Sequence, residues 1–278
     1  MGNFYQAVSS NKAVSGLLLD VYFNSVAAYS LRKLRTAYTG DCIEVYNGTS
    51  YADIGFDSSN ALDLTALANH CGSNDGFVSK IYDQSGNNYD ANQTTPNNMA
   101  KIYDGASQSV IVENGKPQLQ GSSQSANPGG GVFYQTSGNS NSYADVSIFI
   151  VSQRSTTSSS DFNAIMAWHP TYALGGNQSK YSTQGGNGGG AGVGSNLHID
   201  GVANSAYQKN TFHQALGSAN RIISSNQTNL HIGGGRLNLG ITSTISMQHL
   251  QEVIIFDEDR SSDRADIENR INLHYSVY

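Results

Sequence analysis

Apolar and polar positions alternate along much of this chain, in short runs closed by turn residues. Cys42-Ile43-Glu44-Val45-Tyr46 is such a run, and Asn47-Gly48 closes it. Alternation places successive side chains on opposite faces of a half-buried strand, and Asn-Gly supplies the positive φ angles of a tight hairpin. The segment 51–56 is the expected partner. The same pattern predicts strands at 77–82, 110–112, 164–168, 197–199, 229–232 and 247–256, with Asn114-Gly115 as a second turn. Residues 146–152 are apolar at nearly every position and read as the most deeply buried strand.

Helical spacing is rarer. Asp63 is placed to cap a short helix carrying Leu64, Leu67 and Ala68. Beyond Ser261-Ser262, Ile267, Ile271 and Tyr275 share one face of a terminal helix. Leu31 and Leu34 are three apart, which predicts a short helix over 27–35, ended by Thr39-Gly40. Leu17-Leu18-Leu19 followed by Asp20-Val21-Tyr22 reads as a short buried strand or an extended arm. Segments 121–131 and 155–160 are polar loops. The glycine-rich run 175–194 cannot build a core alone, but it tolerates close approach of a backbone or ligand. With no fixed-period repeat and no break in composition, the expected organisation is an arm at 1–27 and a single domain at 28–278. Many short strands and few helices make the fold class all-β, a sandwich.

Composition narrows the function classes. A net charge of −6 disfavours a nucleic-acid backbone as partner, and Arg32, Lys33 and Arg35 are the one local basic cluster. No run reaches the roughly 18–20 apolar residues of a membrane span, so no membrane insertion is expected. The segment Met1-Gly2-Asn3-Phe4-Tyr5-Gln6 has neither a basic start nor an apolar stretch of the secretory kind, and Gln6 breaks the myristoylation pattern. Cys42 and Cys71 are too few for a disulfide framework and read as buried free thiols, with pairing as the alternative. No Cys/His spacing suits zinc, and neither a metal nor any other cofactor is expected. Sixteen tyrosines against one tryptophan fit either a large interacting surface or plain strand propensity.

Two motifs carry a family resemblance. They are Ala28-Tyr29-Ser30-Leu31-Arg32-Lys33-Leu34 with Tyr38-Thr39-Gly40, and Lys80-Ile81-Tyr82-Asp83-Gln84-Ser85-Gly86-Asn87. Together they resemble the catalytic domain of the α-L-arabinofuranosidase B family. Gly115-Lys116-Pro117, His231-Ile232-Gly233-Gly234 and the ending from Ile267 to Tyr275 continue the likeness. It implies a concanavalin A-like β-sandwich (jelly-roll). The Ser-Leu-Arg-x-Leu-Arg start and Asp53-Ile54-Gly55-Phe56 look most like proteins of tailed phages and prophages. That variant implies a virion or tail component made in a host bacterial cytoplasm. Its implied partners are other virion proteins and a host-surface glycan, and it is implied to be a homo-oligomer or part of a larger assembly.

The same resemblance bears on catalysis. Retaining glycosidases need two carboxyl groups about 5–5.5 Å apart. In the family the nucleophile is a Glu two residues after an Asp, and the acid/base is an Asp directly after a Gly-Gly pair. His198-Ile199-Asp200-Gly201-Val202 puts valine at the first position, and Gly235 follows Gly233-Gly234 at the second. No other Asp or Glu lies between Asp200 and Glu252. The expectation is therefore a glycan-binding virion subunit without catalysis. The alternatives are a glycoside hydrolase with a displaced carboxylate pair and a purely structural subunit.

Each candidate residue has a plainer role beside it. Trp168 and Tyr172 suit an aromatic platform for a sugar ring, or core packing. His198, Asp200 and His231 suit a polar sugar pocket, or ordinary strand hydrogen bonding. Tyr82-Asp83-Gln84-Ser85-Gly86-Asn87 reads first as a structural turn, with Gly86 at positive φ, and second as a pocket lining.

Overall fold

The computed structural model describes residues 16–121, 132, 134–136, 145–153, 163–169, 179–182, 196–203, 221–227, 236–239, 246–247 and 249–278. In chain order these form α1 (Leu18–Val21), β1 (Ser25–Ser30), β2 (Ile43–Tyr46), β3 (Tyr51–Ile54), α2 (Leu64–Cys71), β4 (Gly76–Ile81) and β5 (Ala91–Asn92). Next come β6 (Ala100–Asp104), β7 (Ser109–Val110), β8 (Val112–Glu113), β9 (Lys116–Pro117), β10 (Tyr134–Gln135), β11 (Val146–Gln153), β12 (Asn163–His169) and β13 (Ser179–Ser182). The rest are β14 (Asn196–Ile199), β15 (Val202–Ala203), β16 (Arg221–Gln227), β17 (Arg236–Leu239), β18 (Ser246–Met247), β19 (His249–Phe256) and α3 (Arg264–Tyr275).

Among the described residues the strands make two large sheets. The smaller runs β1-β19-β11-β16-β14-β15, and the larger follows β13-β12-β17-β10-β5-β4-β2-β3, with β18, β6 and β7 attached to its sides. The main core lies between them. Val26, Tyr29, Ile148, Ile150, Val253 and Ile255 of the smaller sheet meet Ile43, Val45, Val78, Ile81, Ile102 and Tyr134 of the larger. The other face of the smaller sheet is buried as well. Ala28, Phe149, Ile254 and Phe256 pack there against Ile267, Ile271 and Tyr275 of α3, and against Leu18 and Leu19 of α1. The fold is an all-β sandwich with a helix closing its C-terminal end.

Burial on both faces explains the unbroken apolar runs 148–151 in β11 and 253–256 in β19. It also corrects the helix expected at 27–35. Residues 25–30 are strand β1, antiparallel to β19. Leu31 packs between the sheets while Leu34 packs under α3, so their spacing reflects a chain passing between two cores. The short strand or arm expected near Leu18 is helix α1, whose two leucines face α3. The run 110–112 is split into β7 and β8 at Ile111, whose N–H donates to the Ile102 carbonyl at 2.9 Å.

Other expectations hold. β2 and β3 pair as predicted, but four residues, 47–50, connect them: Gly48 alone takes positive φ, 93°, and the Asn47 side-chain oxygen accepts the Thr49 and Ser50 N–H groups at 3.0 and 2.9 Å. The Asp63 carboxylate accepts the Ala66 N–H at 2.9 Å and caps α2. Asn114 and Gly115 turn at φ of 50° and 71°. Cys42 and Cys71 are both buried and free. β16 was not anticipated: Ser224, Ser225 and Asn226 are poor strand formers, and pairing with β11 imposes the conformation. The strand expected at 229–232 and the loops at 122–131 and 155–160 lie outside the described residues.

Candidate functional site

The Tyr-Asp-Gln-Ser-Gly-Asn motif follows β4 and lies along the free edge of β1. The Asp83 carboxylate accepts the Ala28 N–H at 2.8 Å, the Ser85 N–H at 2.9 Å and the Tyr89 N–H at 3.1 Å. It also accepts the Ser85 hydroxyl at 2.6 Å. Gln84 donates its backbone N–H to the Ala28 carbonyl at 2.9 Å. Its side-chain amide donates to the Ser30 and Arg32 carbonyls at 3.0 Å each and accepts from the Leu34 N–H at 2.8 Å. The Asn87 amide donates to the Ser25 and Val26 carbonyls at 2.9 Å each. Gly86 takes φ of 97°, which favours glycine there. The motif thus occupies the hydrogen-bonding groups that an edge strand would otherwise expose. It also ties the larger sheet, through β4, to the smaller one. Asp83, Gln84 and Ser85 are buried, and burial raises the Asp83 carboxyl while its hydrogen bonds pull the other way.

The second site is the hairpin of β14 and β15. Asp200 and Gly201 form its two-residue turn at φ of 50° and 78°. Asp200 donates its N–H to the Ile222 carbonyl at 2.9 Å, and its carboxylate accepts the Ile222 N–H at 3.0 Å. This carboxylate therefore extends the ladder to β16. Val202, at the position the family resemblance gives to the nucleophile, is 68% exposed on a two-residue edge strand. His198 is half-buried and registers with Ala203 and Ser224.

Trp168 lies in β12 of the larger sheet, opposite Ser179 and Leu237, and so in a different sheet from His198 and Asp200. Tyr172, His231 and Gly235 lie outside the described residues. Among the described residues no group of three His, Cys, Asp or Glu side chains is arranged to hold a metal ion.

Glu252, the first acidic residue after Asp200, is sealed inside the fold, its side chain 0% exposed. Arg32 grips it with Nε at 2.8 Å and Nη2 at 2.9 Å, and the Ser30 hydroxyl donates at 2.7 Å. The Tyr275 hydroxyl donates to it at 3.1 Å, and the Arg32 guanidinium sits 5.4 Å from the centre of that tyrosine ring. Burial alone would raise the Glu252 carboxyl, but the Arg32 charge and these hydrogen bonds hold it below the ordinary carboxylate range. The pattern gave one sign of this: a lone acid inside the apolar run 250–256 needs a buried counter-charge.

His274 stands beside this pair. Burial, with Arg32 close by, lowers it from its ordinary 6.5 to about 4. The unfolded chain takes up this proton as pH falls below 6.5, and the folded chain does not until about 4. Stability should therefore drop across that window and the His274 contribution should then level off. A His274→Gln variant should flatten the Tm-versus-pH curve there, which thermal melts at a series of pH values will read.

No family model matches the chain, and no curated protein matches it. Solved structures do. A mutant of a GH54 α-L-arabinofuranosidase soaked with 4-nitrophenyl α-L-arabinofuranoside aligns with TM-score 0.55 at 14% identity. An arabinofuranosidase complexed with arabinofuranosyl-α-1,2-xylobiose gives 0.53 at 15%, and a GH54 enzyme soaked with a cyclic sulfate inhibitor gives 0.52 at 14%. Each alignment covers 89% of this chain and 62% of the other, so the chain spans less than two thirds of those proteins. At that identity the likeness is one of fold, a concanavalin-type sandwich.

Proposed function

We propose that this chain is a non-catalytic carbohydrate-binding sandwich of the arabinofuranosidase type, holding arabinofuranose-bearing glycans without cleaving them. One observation supports this most: Val202, exposed at an edge, stands where the resemblance puts the attacking carboxylate. The acidic residues nearest to it in sequence on either side are Asp200 and Glu252. The first is bonded to β16 and the second is locked to Arg32. Anomeric bond cleavage of the retaining kind needs one carboxyl to attack and another to donate a proton. The ligand class follows from the fold neighbours, one of which was solved with arabinofuranosyl-α-1,2-xylobiose. The phage-like motifs at 30–35 and 53–56 extend the proposal to a virion or tail subunit, in which several copies of a weak site add avidity.

Titration calorimetry with arabinofuranosyl-α-1,2-xylobiose should give saturable binding with a Kd on the order of 0.1 mM, about −5.5 kcal/mol. Incubation with 4-nitrophenyl α-L-arabinofuranoside should release no nitrophenol above buffer. Turnover that disappears in Asp200→Ala would establish the hydrolase alternative instead. Binding to no sugar at all would favour a purely structural subunit.

A further inference from the structure

The N-terminal half of the larger sheet turns a second face away from the core, exposed at Tyr51 and Asp53 and half-buried at Glu44, Tyr46, Phe77 and Lys80. Ile43, Val45, Ile54, Val78 and Ile81 point inward and are buried. Strand alternation therefore puts Glu44 and Tyr46 of β2, and Tyr51 and Asp53 of β3, on the outer face. β4 has an extra residue at Ser79, since Glu44 opposes Lys80 while Val45 opposes Val78. That bulge keeps both Phe77 and Lys80 on the outer face.

Strand register then sorts these residues into two rows across the sheet. Tyr51, Tyr46, Phe77 and Lys101 are successive cross-strand partners. Beside them run Asp53, Glu44, Lys80, Asn92 and Gln135. An aromatic row thus lies next to a hydrogen-bonding row. Tyr46 and Tyr51 stack with ring centroids 4.7 Å apart, and Tyr51 remains 51% exposed. Each charged group on the face holds a neighbour. The Tyr82 hydroxyl donates to Asp53 at 2.6 Å, and the Ser79 hydroxyl donates to Glu44 at 2.6 Å. The Lys80 ammonium sits 4.9 Å from the Tyr82 ring centre, and Lys101 pairs with Asp75 at 2.8 Å and Asp104 at 2.6 Å.

The geometry points to a second glycan-binding surface here, separate from the 198–202 hairpin, for a neutral linear polysaccharide laid across the strands. It rests on the reading of this sandwich as a carbohydrate binder. Strands lie ~4.8 Å apart, about the width of one sugar ring, so successive sugars meet successive strands. The apolar C–H faces of the sugars cover the Tyr51, Tyr46 and Phe77 rings. Their hydroxyls exchange hydrogen bonds with Asp53, Glu44, Lys80 and Asn92. Two carboxylates against one ammonium along the polar row disfavour phosphate or uronate chains. A protein partner is disfavoured too, because Lys and Glu are depleted from the centres of protein interfaces and here Glu44 and Lys80 lie within the row.

Calorimetry with xylohexaose, a neutral linear chain, tests this. Tyr51→Ala should weaken binding by up to about tenfold, as the loss of one aromatic contact allows, with the far-UV spectrum unchanged. Asp53→Ala, at the exposed end of the polar row, should weaken it also. If wild type binds arabinofuranosyl-α-1,2-xylobiose but not xylohexaose, or if neither variant changes xylohexaose binding, the second surface is refuted and the proposed function stands. If wild type binds neither sugar, both fall. Self-association that Tyr51→Ala abolishes, without xylohexaose binding, would make the face a protein contact and overturn the surface proposed here.

Discussion

Glu252→Ala is expected to lower the unfolding free energy by about 3–5 kcal/mol, the usual cost of breaking a buried ion pair from one side. The magnitude follows from what is left behind. The Arg32 side chain is only 14% exposed, and without the carboxylate its guanidinium keeps its charge with little water to solvate it. Ser30 and Tyr275 lose a charged acceptor at the same time and keep only longer contacts, with each other at 3.2 Å and from Tyr275 to the Gln251 carbonyl at 3.3 Å. Urea melts will read the difference. A double variant, Arg32→Met with Glu252→Leu, removes both charges and should recover most of the loss, because an apolar pair of similar volume has no charge to desolvate. A Glu252→Ala cost below about 1 kcal/mol would mean that the pair behaves like a surface salt bridge. That result would also reopen Glu252 as a group with chemistry to offer.

The same pair shows where a sequence stops being legible. An acid in the middle of Leu250–Phe256 announces a buried partner, but Arg32 lies more than two hundred positions away, and only the pairing of β1 with β19 brings them together. Local rules worked where local physics decides: the pairing of β2 with β3 around Gly48, the Asp63 cap and the Ile267/Ile271/Tyr275 face each depend on a few neighbouring residues. They failed at 25–30, where two cores bury both faces of a strand and erase its alternation. The outer face at Tyr46 and Tyr51 is half legible. Alternation fixes which residues point outward, but the cross-strand rows depend on the bulge at Ser79, which no local pattern announces. That Trp168 lies in a different sheet from His198 and Asp200 is likewise a matter of topology.

The two family-like motifs, 28–34 and 80–87, are far apart in the chain and bonded to each other in space, and that contact defines the other large effect. Asp83→Ala should cost at least about 3 kcal/mol, because it strips the acceptor from three backbone N–H groups and a hydroxyl in a buried setting, each worth about 1–3 kcal/mol when left unmade. Asp83→Asn keeps the shape and one acceptor oxygen, so it should lose less than the alanine variant. The order matters more than either value, since a turn held by shape alone would make the two equal. The alanine variant should show a second symptom. With the motif displaced, Ala28 and its neighbours in β1 present unpaired N–H and C=O groups to solvent, an invitation to strand-by-strand association. Light scattering during refolding should therefore rise for Asp83→Ala and stay low for Glu252→Ala. The latter variant weakens the packing of α3 on the smaller sheet and leaves the β1 edge covered. A fully soluble, stable Asp83→Ala protein would show that Gln84 and Asn87 hold the edge without it.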